Sequence, residues 1–140
     1  MALASFFLVV LGCTPDPVES VASVRAMQLE GQYGESIPVL ERLIEENPND
    51  IDIYRLLGLA LLASDNGSTA IWALRRVTED PEYGVTDLFA LAQALAKGGA
   101  HGNAREVTEE VLAIEPDHLG ALLLTTNLVT NMKKWDDSLE

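Results

Sequence analysis

Two histidines, one cysteine and a few acidic pairs are the residues of this 140-residue chain that could do chemistry. His101 lies in a Gly-rich turn, and His118 follows seventeen residues later. A zinc site needs further ligands at helical spacing, and a nucleophilic site needs a thiol or hydroxyl beside its base. Neither histidine has such a companion, so both read as surface residues. Asp50-Ile51-Asp52 could open a calcium loop, but the glycine and closing glutamate of that loop do not follow. Helix capping and solvation explain the pair instead. Glu45-Glu46 and Glu109-Glu110 read as solvated outer helix faces. Lone Cys13 can form neither an internal disulfide nor a Cys-based zinc site. No Gly-rich phosphate loop follows a strand, and no nucleophile elbow is present. The sequence therefore predicts no catalytic residues, no metal and no cofactor.

With catalysis set aside, composition says what kind of molecule remains. The chain is 48% hydrophobic, which suits a folded domain rather than a disordered segment. Its 22 acidic and 9 basic side chains give a net charge of −13. Nucleic-acid binding requires lysine and arginine to neutralise phosphate, so that partner class is excluded. Aromatic residues make up only 6%, leaving little for base stacking.

Residues 2–12, Ala-Leu-Ala-Ser-Phe-Phe-Leu-Val-Val-Leu-Gly, are uncharged and too short to span a bilayer, which takes ~20 apolar residues. They match the length of a signal-peptide apolar core, ~7–15 residues. Val10-Leu11-Gly12-Cys13 closes the stretch, and Pro15 and Pro17 favour an extended tether after it. This segment resembles a bacterial lipoprotein signal with its lipobox. The resemblance implies cleavage before Cys13, lipid attachment to its thiol, and a membrane anchor in the cell envelope. Thr14 after the cysteine favours the outer membrane, with the protein facing the periplasm. No Lys or Arg precedes the apolar run, a departure that points to a start upstream of Met1. The competing reading is a buried N-terminal helix with a core cysteine. The expected organisation is a signal peptide at 1–12, a lipid-anchored linker at 13–17 and a helical array at 18–140.

In that array Pro48, Pro81 and Pro116 lie 33 and 35 residues apart, each after an acidic amphipathic segment. Proline ends a helix because it lacks an amide hydrogen and crowds the preceding turn. Asp50 and Asp117 then offer side-chain oxygens to cap the next helix. Each unit splits at a second break. The spacing predicts helices over 18–30 and 35–46, 51–64 and 69–79, and 85–97 and 103–114. Gly67 is the expected left-handed cap in the second unit. A helix–turn–helix period of 34 residues resembles the tetratricopeptide repeat. Counting Ile51 as position one, Tyr54, Leu57, Gly58, Leu61, Ala70, Leu74 and Val77 stand at the signature positions. From Val85, Leu88, Leu91, Ala92, Leu95, Ala104 and Val111 do the same, with Thr108 departing from the usual large apolar type. The first repeat keeps Ser36, Leu40, Leu43 and Pro48. The fourth has Leu122 and Val129 in phase. Small residues should let paired helices close, with Gly58 facing Ala70 and Ala92 facing Ala104.

The fold expected is therefore all-α, a solenoid of antiparallel helix pairs in a right-handed superhelix. Repeat bounds are 18–50, 51–84, 85–118 and an incomplete 119–140, whose second helix opens at Trp135. An uncovered half repeat predicts that the natural chain continues beyond Glu140. By the same resemblance, the first helix of each repeat lines a concave groove that grips polypeptide. Matching positions are Arg25, Asp52, Arg55, Leu59, Leu62, Thr86, Phe89, Gln93, Lys97, Leu123, Asn127 and Asn131. With Arg25, Arg55 and Lys97 against Asp52 alone, this surface should reverse the sign of the chain, and an apolar peptide or helix with some acidic character should fit it. The function expected is a protein-binding scaffold. A recognition arm of a larger enzyme or regulator whose catalytic domain lies beyond residue 140, and an array that self-associates through its last repeat, are the other readings.

Overall fold

The structure, a computed structural model, describes residues 20–137, with side chains through residue 130. The signal segment, the tether and Cys13 lie outside the described residues. Seven helices follow one another: α1 (Val21–Leu29), α2 (Tyr33–Glu46), α3 (Ile51–Ala63), α4 (Gly67–Thr78), α5 (Val85–Lys97), α6 (His101–Ile114) and α7 (Leu119–Asp137). No strand occurs among the described residues. The all-α solenoid anticipated from the proline period is what forms.

The turns inside the repeats show why the period holds. The left-handed residues Gly31, Asp65 and Gly99 recur every 34 residues, with φ of 80°, 59° and 81°. Behind each, the same pair of backbone bonds closes the helix. Gln32 N–H donates to Met27 C=O at 2.9 Å, Asn66 to Leu61 at 2.8 Å and Ala100 to Leu95 at 2.9 Å. Gly31, Asp65 and Gly99 donate to Gln28, Leu62 and Ala96 at 3.0, 3.2 and 3.2 Å. This is the Schellman ending, in which a residue at positive φ turns its amide back to satisfy the last carbonyls. Aspartate tolerates that conformation where most side chains do not.

Two expectations shift here. Gly67 is not the left-handed cap; Asp65 is, and Gly67 starts α4, where a Cβ would collide with Lys97 Cβ and lie 3.1 Å from Ala94 C=O. The fourth repeat does not break before Trp135, because α7 runs on to Asp137. At the register position of Gly31, Asp65 and Gly99 it carries Lys133, for which a left-handed turn costs ~1–2 kcal/mol.

α3 and α5 start where expected, α1 starts at Val21 rather than residue 18, and α2, α4 and α6 start two residues early, at Tyr33, Gly67 and His101. Ser20 and Ser23 form a reciprocal capping box on α1, and Asp50 Oδ1 accepts from Asp52 N–H at 3.0 Å on α3. On α7 the acceptor is His118 Nδ1, 3.1 Å from Ala121 N–H. Asp117 was the expected cap, but α7 begins at Leu119, so the adjoining residue takes that role.

Each helix packs on the helix before and after it, and one apolar core runs from Val24 in α1 to Leu128 in α7. Leu40, Leu57 and Leu74 are sealed inside it. Gly58 meets Leu74: a Cβ there would lie 2.6 Å from Leu74 Cγ and Cδ2. The small residues Ser36, Ala70 and Ala104 recur at one register position of α2, α4 and α6, all fully buried. No helix among the described residues is long and apolar enough to cross a membrane.

Candidate functional site: the inner helix face

A stack of helix pairs has two rows, and their spacing decides which way the stack curves. α1, α3, α5 and α7 approach each other in sequence, with Cα atoms within 8 Å. Among the described residues α2, α4 and α6 make no such approach to one another. The first row is therefore the crowded, inner side, and the second splays outward. The inner side is where Arg25, Asp52, Arg55, Leu59, Thr86, Gln93, Lys97, Leu123 and Asn127 stand.

The charges on this face form a ladder across three helices. Arg25 Nη2 on α1 donates to Asp52 Oδ2 on α3 at 3.0 Å. Arg55, one turn along, donates to Asp52 Oδ1 and also reaches α5, with Nε 2.8 Å from Asp87 Oδ1 and Nη2 3.3 Å from Asp87 Oδ2. Asp87 Oδ2 further accepts from Gly84 N–H at 3.0 Å, which fixes the start of α5. The Asp87 hydrogen bond raises the Arg55 pKa above its ordinary value, against the opposing effect of burial, with the charges of Asp87 and Asp52 adding to the rise. Lys97 at the end of α5 donates to Asp65 in the α3–α4 turn. That hydrogen bond and the ammonium charge hold the exposed Asp65 carboxyl below its usual range.

The expected reversal of charge is thus corrected. Arg25, Arg55 and Lys97 are each matched by a carboxylate, and two of the three acids, Asp87 and Asp65, were absent from the predicted set. A nearly neutral face results, because fork-shaped guanidinium groups lock onto carboxylates that alignment of repeats brings within reach. Asp87 had a signal in the sequence: an acid at a register position that holds Ile53 and Ala121 in neighbouring repeats.

Phe89 is likewise not a free anchor. Its ring lies against Gly120, where a Cβ would sit 2.6 Å from Cζ, and its centroid is 4.6 Å from that of His118. It joins α5 to α7 and is half-buried there. Leu62 is half-buried against the core. What remains open along the inner face is Leu59, Thr86, Gln93, Leu123 and Asn127. Asn131 is in α7, and its side chain lies outside the described ones. At the α1 end, Arg25, Gln28, Leu29, Tyr33 and Leu56 line a shallow cleft of about 290 Å³. Gln28 is fixed there, its Nε2 donating to Leu56 C=O at 3.0 Å and Ser36 Oγ at 3.3 Å.

No cluster of three His, Cys, Asp or Glu side chains disposed to hold a metal occurs among the described residues.

No family model matches the sequence, and no curated protein does. Solved structures do match in fold. MamA (MSR-1 C2) superposes with a TM-score of 0.73 at 22% identity, over 83% of this chain and 67% of that one. A MamA point mutant gives 0.74 at 19%, over 85% and 69%. The NMR structure of the first TPR domain of human RPAP3 gives 0.71 at 14%, over 84% of this chain and 93% of that domain. The chain has a tetratricopeptide-like fold.

Proposed function

We propose that this protein is a non-catalytic scaffold that holds a segment of another protein against the inner faces of α1, α3, α5 and α7. The observation that carries this reading is the convergence of those four helices while the outer row splays. The ligand matching the exposed residues is a largely neutral peptide or helix. Leu59 and Leu123 offer it apolar contacts, and Gln93 and Asn127 offer amides to its backbone or polar side chains. The charged ladder serves to set the spacing of α1, α3 and α5, and its internal pairing removes the preference for an acidic ligand. A photocrosslinking side chain in place of Gln93, and another in place of Arg75 on the outer row, test the reading in the native cell. Capture of one defined partner from Gln93 alone is expected. Equal capture from both positions overturns the groove.

The proposal extends to location. The Val10-Leu11-Gly12-Cys13 run supports an envelope lipoprotein anchored through Cys13, facing the periplasm from the outer membrane. Labelled palmitate should enter the wild-type chain and not Cys13→Ser; equal labelling of both removes the anchor.

A further inference from the structure

The cleft at the α1 end of the inner face holds a polar group where the next two repeats hold none. Gln28 stands at a register position occupied by Leu62 and Ala96. It is 9% exposed, and both hydrogens of its amide are spent, on Leu56 C=O at 3.0 Å and Ser36 Oγ at 3.3 Å. Ser36 Oγ donates in turn to Tyr33 C=O at 2.7 Å, so toward Gln28 it can only accept. This relay fixes which way the amide faces. Gln28 Oε1 accepts from no described residue. Among the described residues, His101 Nδ1 is the only sealed side-chain nitrogen or oxygen without a partner. Gln28 Oε1 is therefore open, and the cleft is the space onto which it opens.

The rest of the cleft is apolar, with one cation. Leu29, Leu56 and Tyr33 line it, and Leu29 is 90% exposed. Tyr33 stands at the register position of Gly67, where the missing Cβ lets α4 close on Lys97 and Ala94 of α5. A tyrosine cannot close in that way, and an opening of about 290 Å³ remains. Arg25 completes the lining, with Nη2 held by Asp52 Oδ2 at 3.0 Å.

We infer that this cleft seats a tryptophan side chain of the segment bound along the inner face, an assignment that rests on the groove reading above. Charge and hydrogen bonding select the occupant. Arg25 repels an ammonium group, and a carboxylate would face the Gln28 carbonyl oxygen lone pair to lone pair. An aliphatic or phenyl side chain would cover Oε1 and leave it unpaired. A phenol would donate to Oε1 but bring lone pairs for which Gln28 has no donor left. An indole donates and does not accept. Its flat apolar body fits Leu29, Leu56 and Tyr33, and its face can lie against the Arg25 guanidinium.

The chain's own residues do not match as well. Residues 1–19 contain no tryptophan or tyrosine. Trp72 lies edge-on against Tyr54, with ring centroids 5.8 Å apart, and Trp135 is on α7, at the other end of the array from α1.

The test titrates N-acetyl-tryptophanamide into the full chain, isotope-labelled and followed by NMR. Saturable shifts of the Gln28 side-chain amide and the Leu29 and Leu56 methyls are expected. The N-methylindole analogue, which lacks only the donor, and N-acetyl-phenylalaninamide should bind about fivefold more weakly or worse. In Gln28→Leu the indole and its N-methyl analogue should bind alike. Leu29→Asp should abolish binding while circular dichroism stays as in wild type, because Leu29 is exposed. Leu59→Asp should leave probe binding unchanged. The crosslink at Gln93 reads the groove without the cleft, so failure of either is seen separately. Absent saturation, equal binding of the indole and its N-methyl analogue to the wild-type chain, or tighter binding of N-acetyl-tyrosinamide overturns the inference. So does a dimer on light scattering that Trp72→Phe dissolves, which makes the occupant a second copy. Saturation seen only with Phe6→Ser and Phe7→Ser together overturns it too, in favour of the chain's own N-terminal segment.

Discussion

α3 and α7 present the same register of side chains, and they differ in what lies over it. Tyr54, Gly58 and Leu61 on α3 are buried under α4, while Leu122, Thr126 and Val129 on α7 face solvent. Neither helix is the more apolar by design of its own pattern. Burial in this array belongs to the neighbour, since no repeat covers its own first helix without a second one. Side chains of one type should therefore be worth very different amounts at the two places.

The largest contrast is expected from truncating leucine. Leu74→Ala empties a sealed position between α4 and Gly58 of α3 and should cost about 2–5 kcal/mol of unfolding free energy. Leu122→Ala on α7 should change stability by less than about 0.5 kcal/mol. Urea denaturation of both variants measures the gap; equal losses would mean that α7 is covered after all. Next in size is the addition of bulk. Gly58→Leu forces Leu74 from its seat and should cost about 1–3 kcal/mol, whereas Thr126→Leu at the matching position of α7 should be close to neutral.

A third contrast sits within the charge ladder. Arg55→Ala leaves the buried Asp87 carboxylate with only Gly84 N–H as partner and should cost about 1–3 kcal/mol, while Arg25→Ala removes an exposed pair worth about 0–1 kcal/mol. Thermal melts at low and high salt separate the two, because salt screens the exposed pair more. The smallest effect is expected at Lys97. Asp65 is held below its ordinary value of 3.8, so the pairing stabilises the fold above that pH and is lost as pH falls through the depressed pKa. Lys97→Met should return the Asp65 carboxyl titration, followed by NMR, to its ordinary range, with no measurable change in Tm at neutral pH.

The repeat frame was legible because its punctuation is local. Pro48, Pro81 and Pro116 mark one set of turns, and Gly31 and Gly99 lie in the other. Asp65 escaped notice because Gly67, two residues on, is the commoner cap, yet it is needed where α4 packs tightly on α5. The positions expected on the inner face lie on α1, α3, α5 and α7, but their electrostatics were not legible. Arg55 meets Asp87 across 32 residues of sequence, a pairing that only stacking of repeats creates. His118 read as an incidental surface residue, although the start of α7 at Leu119 makes it both the cap and a neighbour of the Phe89 ring.

The outer helices of successive repeats do not meet, and this gives the molecule a direction of mechanical softness. Bending that opens or tightens the coil pivots on the α1–α3–α5–α7 line and is resisted where α2 packs on α3, α4 on α5 and α6 on α7, not by contact between outer helices. The salt links from Arg25 to Asp87 act as tie-rods across that pivot, and a ligand lying along it would stiffen the whole spring at once.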